Sequence, residues 1–429
     1  MKKTLSLLLA VIMLFTTICM ASCSKKTPEE PVDTSEQQET NDNGGNTTDT
    51  EAVTGDAANL PDSTFDKPVA SDKQAAAMVT VSSIASQYKV SDKNGVTFNP
   101  LTCPYFEITG FPYLEQNKSL YRLLLSDKSK YPSGVASHAD RTAGGRIRFR
   151  TDSDSMTITV KLGTTPTMSH MTVLGIAGID IYKGTGSDKT WVKAIYPKDG
   201  LTRYTQTIQL SGQATDYTLV LPLFAGVESI TIAVDKDAQI GTPTPYKYEK
   251  PVVFYGSSIV NGCSASRPGT SYPEVVTRML DANLVNLGFN GAAKGEQVIA
   301  QYIAGLEMSA FVLDYDYNAD NAQDLLSTHY DFYKTVRNAH PDIPIIIMTK
   351  NNVAISDNDD NALRRRAIKN TYNKAIEEGD KNVYYIDGRY VFPEIARDLC
   401  TVDGTHPSDL GMYYMAQALY PVLKAALEK

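Results

Sequence analysis

The chain has 429 residues, of which 42% are hydrophobic and 21% charged, and its formal net charge is −8. A chain of this length commonly folds into more than one domain, each with its own hydrophobic core. Residues 27–66 supply eleven carboxylates and no Lys or Arg, and residues 1–26 supply four lysines, which leaves −1 for residues 67–429. The folded part is therefore nearly neutral, which argues against a nucleic-acid partner or a strongly charged substrate.

The N-terminus has the pattern of an export signal. Two lysines precede an uncharged, mostly apolar run from Thr4 to Ser22, and small residues stand directly before Cys23. The stretch MASC resembles a bacterial lipobox, in which Cys23 becomes the lipid-modified first residue of the mature chain. Residues 1–22 are therefore predicted to be a lipoprotein signal peptide, and the protein to be exported and lipid-anchored to a bacterial cell-envelope membrane. An ordinary cleaved signal or a transmembrane anchor is the alternative.

Residues 23–66 are predicted to be a disordered acidic tether, because they contain hardly any large apolar side chains and cannot offset the entropy cost of ordering.

Residues 67–245 are predicted to form a β domain. From about Phe106 to Val234, apolar and polar residues alternate at period two, with Gly, Ser, Asp and Pro between the runs. Many short strands of this kind predict an all-β sandwich or jelly roll.

Residues 246–429 follow a proline-punctuated boundary and have a different rhythm. Apolar strand candidates alternate there with helical patterns; these candidates read VVFYG, NLVNLG, AFVLDYD, IPIIIMT and VYYIDG. Strands joined by helical crossovers predict an α/β domain with a flavodoxin-like, doubly wound, parallel five-stranded sheet. In such sheets the reacting groups collect beyond the carboxyl ends of the strands.

The stretch YGSSIVNG, at the end of the first of these strands, offers two serines as nucleophiles. A serine needs a base, and the base needs an orienting group. His406 stands before the last helical pattern with Asp403 three residues earlier, and a tight turn at this spacing brings the carboxylate onto one ring nitrogen. A helix-capping loop with a nearby histidine is the alternative. The Gly-x-Ser-x-Gly elbow of α/β-hydrolases fits neither serine.

These residues resemble the SGNH or GDSL hydrolase family. Its first block, Gly-Asp-Ser, is matched by Gly256–Ser258, so Ser258 takes the place of the nucleophile and Ser257 replaces the usual Asp. Gly291, in NLGFNG, matches the oxyanion glycine of the second block. Asn318, in LDYDYNAD, matches the oxyanion asparagine of the third block, although the usual Gly before it is absent.

The remaining blocks extend the likeness over roughly residues 105–429. Asp403 and His406 match the Asp-x-x-His block. The stretches GIDIY (residues 178–182) and FRTDS (residues 149–153) resemble the β domain of an esterase subgroup that carries a Gly-x-Asp-Leu-Tyr signature. The blocks occur in the order of the family, which makes the combined match more specific than any single block.

The resemblance implies a serine esterase that works through an acyl-enzyme. Ser258, Asp403 and His406 would form the catalytic triad, and the Ser258 and Gly291 N–H groups with the Asn318 side chain would hold the oxyanion. The resemblance implies no cofactor. The sequence also shows no His and Cys cluster with the spacing of metal ligands.

The substrate is expected to be an acylated carbohydrate, because an envelope-anchored SGNH enzyme with a β accessory domain resembles the carbohydrate O-deacetylases. Short acyl groups, above all acetyl, are expected, since no long apolar lid or groove pattern is present. Peptidoglycan O-acetyl esterase and general short-chain esterase are alternatives within this class. A catalytically silent glycan-binding lipoprotein is the alternative from another class.

Weaker signals lie near these blocks. Arg267 and Lys294 are candidate substrate contacts, with solvated loop charges as the alternative. Cys263 and Cys400 each flank a catalytic block, and an exported chain can form a disulfide, so we expect these two thiols as a candidate pair. His170 lies in the β-domain loop TMSHMT and is assigned no role.

Overall fold

The computed structural model describes residues 65–93, 95–198, 200–351, 358–395 and 397–429. The predicted signal peptide, the predicted lipidation site Cys23 and all but two residues of the predicted tether lie outside the described residues. None of the helices in the described ranges is both long and apolar enough to cross a membrane.

The described strands, in chain order, are β1 (Val79–Thr80), β2 (Lys89–Ser91), β3 (Val96–Phe98), β4 (Glu107–Thr109), β5 (Arg146–Thr151), β6 (Ser155–Leu162), β7 (Ile179–Lys183), β8 (Thr190–Ile195), β9 (Arg203–Gln209), β10 (Thr215–Val220), β11 (Val227–Val234), β12 (Gln239–Gly241), β13 (Tyr248–Gly256), β14 (Ala282–Gly288), β15 (Ala310–Asp314), β16 (Ile345–Met348) and β17 (Val383–Ile386). The described helices are α1 (Leu114–Asn117), α2 (Ser133–His138), α3 (Val173–Ala177), α4 (Ser258–Asn261), α5 (Tyr272–Leu280), α6 (Gln297–Ala304), α7 (Ala322–Ala339), α8 (Asp359–Glu377) and α9 (Asp409–Leu427). Short 3-10 turns connect several of them.

Two antiparallel sheets form the N-terminal β domain, as the sequence predicts. One has the order β1–β12–β5–β10–β7–β8, with β4 paired to β5, and the other has the order β2–β3–β11–β6–β9. Every second residue of β6 is buried. Inward side chains of both sheets, such as Phe98 on β3 and Phe149 on β5, join one hydrophobic cluster. This shared interior makes the domain a β-sandwich.

One part of the N-terminal region departs from the predicted alternation. Residues 114–139 form α1, a 3-10 turn and α2, and their buried apolar side chains, except Leu120, pack on the face of the parallel sheet remote from the sandwich. The buried guanidinium of Arg122 donates to the main-chain oxygens of Asn286 (3.0 Å) and Gly288 (2.8 Å), at the end of β14. This excursion therefore supports a strand of the α/β domain rather than the sandwich.

The C-terminal domain contains the predicted parallel sheet, with the order β14–β13–β15–β16–β17. Its first strand in the sequence lies between the second and the third, which is the flavodoxin-like arrangement. Side chains of β13 alternate between two cores: Val252 and Phe254 face the cluster shared with the sandwich, and Val253 and Tyr255 face the opposite cluster. Both faces are covered, which explains why these strands read as continuous apolar runs.

A buried ion pair joins the sandwich to the α/β domain. Arg146, on β5, lies 2.8 Å from the Glu274 carboxylate on α5, and the two side chains are only 3% and 2% exposed. The same guanidinium donates to the Ala282 main-chain oxygen at 3.0 Å, where β14 begins. Removing either charge would leave the other buried without its partner, which is costly. The two domains are therefore held in one relative position.

The first described residues pack against the last helix. The Phe65 ring lies 5.5 Å from the Tyr413 ring and 5.0 Å from the Tyr420 ring of α9. The Asp66 carboxylate accepts hydrogen bonds from the Tyr420 hydroxyl (2.9 Å) and the Lys424 ammonium (2.5 Å). These are the last two residues of the segment predicted as a tether, so contacts with the folded domain begin by Phe65.

Candidate active site

Three neighbouring strands bring the family blocks to one edge of the parallel sheet. Gly256 ends β13 and is in register with Gly288 on β14 and Asp314 on β15. A Cβ on Gly256 would lie 2.1 Å from the Asp314 main-chain oxygen, and one on Gly288 would lie 2.2 Å from the Asn261 nitrogen. Only glycine permits these approaches. They allow α4 to begin directly above the strand ends.

The two adjacent serines have different environments. Ser257 is fully buried and precedes α4, and its Oγ accepts a hydrogen bond from the Ile259 N–H (3.2 Å), as an N-cap residue does. Its own N–H donates to the Asp314 main-chain oxygen (3.3 Å). Ser258 is the first residue of α4 and is 6% exposed. The structure thus uses Ser257 as a cap and directs Ser258 to His406.

A chain of hydrogen bonds links Ser258, His406 and Asp403. Ser258 Oγ lies 3.1 Å from His406 Nε2, and His406 Nδ1 lies 2.8 Å from Asp403 Oδ2. An ionised carboxylate can only accept, so Nδ1 carries the ring proton and Nε2 accepts from the serine hydroxyl. The structure therefore brings together the three residues that the sequence predicts as a triad.

A tight turn sets the orientation of the imidazole. Asp403 Oδ1 accepts hydrogen bonds from the Thr405 N–H (3.0 Å) and the His406 N–H (2.7 Å). Gly404, between them, has a φ of +79°, a left-handed conformation that suits glycine. Burial alone would raise the pKa of Asp403, but the hydrogen bonds from the His406 ring and these two N–H groups outweigh it and lower the pKa. The carboxylate therefore stays ionised beside the ring.

Gly291 and Asn318 lie in loops at the adjoining strand ends. Gly291 has a φ of +67°, and a Cβ there would meet no atom within 4 Å, so its left-handed backbone rather than lack of space favours glycine. The loop is fixed to β13 by a hydrogen bond from the Phe289 N–H to the Gly256 oxygen (2.9 Å). Asn318 Nδ2 donates to the Phe289 oxygen (3.0 Å). The asparagine amide is thus tied to the loop that carries Gly291.

The aspartate of GIDIY holds the loop that follows α4. Asp180 is fully buried and accepts from the Arg267 guanidinium (2.8 Å), the Gly269 N–H (2.7 Å) and the Trp191 indole N–H (3.0 Å). Arg267 also donates to the Tyr182 hydroxyl (2.8 Å). Arg267, predicted as a candidate substrate contact, is therefore occupied by the β domain instead. This contact also explains why the β-domain motif accompanies the hydrolase blocks.

Lys294, the other candidate substrate contact, pairs with the exposed Asp320 carboxylate at 2.6 Å. Its ammonium is on the surface of the loop that follows Gly291, and the partner carboxylate raises the pKa of Lys294. This environment corresponds to the alternative weighed for the sequence, a solvated loop charge.

The candidate disulfide between Cys263 and Cys400 is not formed. Cys263 and Cys400 are separate, buried free thiols. Hydrogen bonds join the two loops instead: the Asp409 carboxylate, at the start of α9, accepts from the Ser266 N–H (2.8 Å) and the Thr270 hydroxyl (2.8 Å). A covalent bond is not needed to fix the serine loop beside the histidine loop.

His170, which the sequence left without a role, lies against the catalytic-type histidine. Its ring stacks on the His406 ring with centroids 4.9 Å apart and an interplanar angle of 18°. Its Nε2 lies 3.1 Å from Cys263 Sγ. The expectation that no His and Cys cluster exists is therefore wrong for the folded chain. Sequence spacing gave no signal, because the two residues of this contact stand 93 positions apart in different domains.

The comparisons with known proteins agree with this architecture. The GDSL-like lipase/acylhydrolase family model matches residues 249–424, and the GxDLY model for the N-terminus of esterases of the SGNH hydrolase type matches residues 97–240. The chain is therefore a carboxylic ester hydrolase. It belongs to the SGNH/GDSL hydrolases, as a member whose α/β domain is preceded by a GxDLY β domain.

Solved structures share both domains. A GDSL-like lipase from Bacteroides ovatus matches with a TM-score of 0.70 and 26% identity, over 78% of this chain and 98% of that one. A salicylyl-acyltransferase from a tetracycline biosynthetic pathway matches with a TM-score of 0.64 and 20% identity, over 78% of this chain and 98% of that one. A family two carbohydrate esterase from Cellvibrio japonicus matches with a TM-score of 0.51 and 13% identity, over 77% of this chain and 98% of that one. The comparison with curated protein sequences gave no match.

The buried carboxyl group of Asp314, beneath the Ser257 cap, predicts a pH-dependent stability. Burial, reinforced by the Asp316 carboxylate, raises the pKa of Asp314 from 3.8 to about 7. A group with a raised pKa in the folded protein stabilises the fold at pH values below its pKa in the unfolded chain. This stabilisation is lost as the pH rises through the pKa of the folded protein. In Asp314→Asn the loss should be absent, so wild type should lose on the order of 1 kcal/mol per pH unit relative to this variant between pH 4 and 7.

Urea unfolding of both proteins at pH 4, 5, 6 and 7 measures this difference. The Tyr272 hydroxyl, which donates to the Asp314 carboxylate at 2.8 Å, can donate to the asparagine amide oxygen as well. Parallel stability curves for the two proteins would show that Asp314 has an ordinary pKa.

Proposed function

We propose that this protein is a serine esterase that removes short acyl groups, above all acetyl, from carbohydrate. The observation that carries the proposal is the chain of hydrogen bonds from Ser258 Oγ through the His406 ring to the Asp403 carboxylate. It lies at the carboxyl edge of a doubly wound sheet, where such folds hold their reacting groups.

The reaction begins when Ser258 Oγ attacks the ester carbonyl and His406 Nε2 takes the hydroxyl proton. Asp403 keeps the ring in the required tautomer and stabilises the imidazolium that forms. His406 then returns the proton to the departing sugar hydroxyl, which leaves the acyl group on Ser258. Water, activated by the same imidazole, hydrolyses this acyl-enzyme and restores the serine.

The tetrahedral oxyanion is stabilised by donors from three strand ends. The Ser258 N–H is at the start of α4, where the first N–H groups of a helix have no acceptor within the helix. The Gly291 N–H belongs to the loop after β14, at a residue that has no side chain to hinder the substrate. The Asn318 amide carries a second N–H besides the one bound to the Phe289 oxygen. Donors fixed before the reaction lower the barrier without reorganisation.

The carbohydrate substrate is supported by the fold and by the sequence. A family two carbohydrate esterase shares the two-domain architecture. The sequence lacks a long apolar lid or groove pattern, which disfavours long acyl chains. Peptidoglycan O-acetyl groups and simple short-chain esters remain the alternative substrates of the same chemistry.

A proposal for the cellular location rests on the N-terminal sequence alone. We propose that the chain is exported and that lipid attached to Cys23 anchors it to a bacterial cell-envelope membrane. The MASC stretch after an apolar run supports this proposal. An anchored esterase would act on carbohydrate at the membrane surface.

Ser258→Ala should abolish hydrolysis of p-nitrophenyl acetate by the full-length protein, lowering kcat/KM by about 10⁴-fold or more. Ser257→Ala is the matched control: it removes a helix cap at about 1 kcal/mol but leaves the nucleophile, so its rate should stay within about tenfold of wild type. Initial rates under identical conditions measure both. Equal rates for wild type and Ser258→Ala would refute the mechanism, and loss only in Ser257→Ala would move the nucleophile.

Asn318→Ala should lower kcat by about 10²-fold to 10³-fold with little change in KM, because an oxyanion donor acts mainly in the transition state. Steady-state kinetics on p-nitrophenyl acetate separate the two constants. A rise in KM alone, or a rate within about twofold of wild type, would show that Asn318 only orders the Phe289 loop.

The substrate assignment is tested by acetate release from acetylated xylo-oligosaccharides and cello-oligosaccharides, with O-acetylated peptidoglycan alongside. We expect acetate from a sugar substrate, and p-nitrophenyl acetate to exceed p-nitrophenyl octanoate in kcat/KM by at least about tenfold, or about 1.4 kcal/mol. Hydrolysis of the aryl acetate without release from any oligosaccharide would contradict the carbohydrate assignment. Release from peptidoglycan alone would favour that alternative.

A further inference from the structure

Three groups that bind zinc in proteins meet beside the candidate triad. His170, Cys263 and His406 place their ligand atoms within 4.8 Å of one another. They come from three separate parts of the chain: a β-domain loop, the loop after α4 and the loop before α9. The proposed mechanism uses His406 but has no role for the other two. An unused thiol and imidazole against a catalytic-type imidazole therefore need an explanation.

Two of the three ligand atoms already lie close to the spacing that they have in a zinc site. With Zn–S of about 2.3 Å and Zn–N of about 2.0–2.1 Å, tetrahedral ligand atoms lie about 3.3–3.6 Å apart. His170 Nε2 and Cys263 Sγ are already 3.1 Å apart. The two imidazoles are stacked, so their in-plane lone pairs do not converge, and His170 must turn to share an ion with His406. The partly buried His170 belongs to residues 163–172, between β6 and α3, a segment in which no helix or strand restrains such a rotation.

The hydrogen-bond partner of His406 also suits a metal-binding imidazole. Asp403 holds the Nδ1 proton of His406, and a carboxylate on the distal nitrogen is the arrangement that orients metal-bound histidines and raises their basicity. Cys263 would bind the ion as a thiolate. A bound dication compensates the thiolate charge, so the thiol releases its proton to solvent as the Zn–S bond forms. No electron transfer is involved.

We propose that His170, Cys263 and His406 bind Zn²⁺ and that the ion reversibly inhibits the esterase. The Nε2 lone pair of His406 cannot hold a metal and accept the Ser258 proton at once, so the bound ion removes the general base. Binding stands apart from the proposed function; only the inhibition rests on it.

Cobalt binding tests the site without relying on catalysis. Full-length Ser258→Ala, which keeps all three ligands, is titrated with Co²⁺, and we expect a thiolate-to-cobalt charge-transfer band that Zn²⁺ displaces. In the Ser258→Ala background, Cys263→Ser should abolish the band and His170→Ala should weaken Co²⁺ binding by more than about tenfold. Cys103→Ala and His340→Ala remove a thiol and an imidazole elsewhere and should leave it unchanged. No band in Ser258→Ala, or a band that persists in Cys263→Ser, overturns the proposal.

Inhibition is measured separately with wild-type serine. Zn²⁺ should lower the rate of p-nitrophenyl acetate hydrolysis by at least about tenfold, and a chelator should restore it. Cys263→Ser should require a Zn²⁺ concentration about 10-fold to 100-fold higher for the same inhibition. Each variant is compared with its own zinc-free rate. Equal zinc sensitivity of wild type and Cys263→Ser overturns the inhibitory role. A protein without esterase activity would refute the proposed function, while the cobalt titration would still decide the site.

Discussion

The buried Asp180 carboxylate is the contact on which the arrangement of the site depends. It belongs to the β-sandwich, yet its partners Arg267 and Gly269 belong to the loop that leaves the nucleophile helix. A carboxylate without exposure to water is stable only when charge and N–H donors surround it, so the loop and the sandwich must fold against each other. The contacts of Asp180 and the Arg146–Glu274 ion pair together fix the position of one domain against the other.

Local patterns made much of the molecule predictable. The strands of the parallel sheet are buried on both faces and therefore read as apolar runs, and the Asp403 turn is complete within four residues. The same holds for the serine pair, because a cap must directly precede its helix. Such features need only neighbouring residues, so the sequence contained enough information to predict them.

Contacts between distant positions were not predictable in this way. The sequence indicates for Arg267 only a substrate contact or a solvated charge, because its partner Asp180 stands 87 positions away in the other domain. Cys263 and Cys400 are a candidate pair only through their placement near the blocks, whereas the fold brings Cys263 close to His170. The helical residues 114–139 were also missed, because their support of β14 is a tertiary contact. In each case the determining partner lies far away in the sequence.

The stacking of His170 on His406 also bears on how such proteins change over generations. A domain that merely accompanies an enzyme can be exchanged by recombination for another of similar shape. Here a foreign sandwich would bring neither the ring against the imidazole nor the carboxylate beneath the nucleophile loop. The two halves of the gene are therefore expected to be inherited as a pair, and substitutions at their interface to arise in matched sets rather than singly.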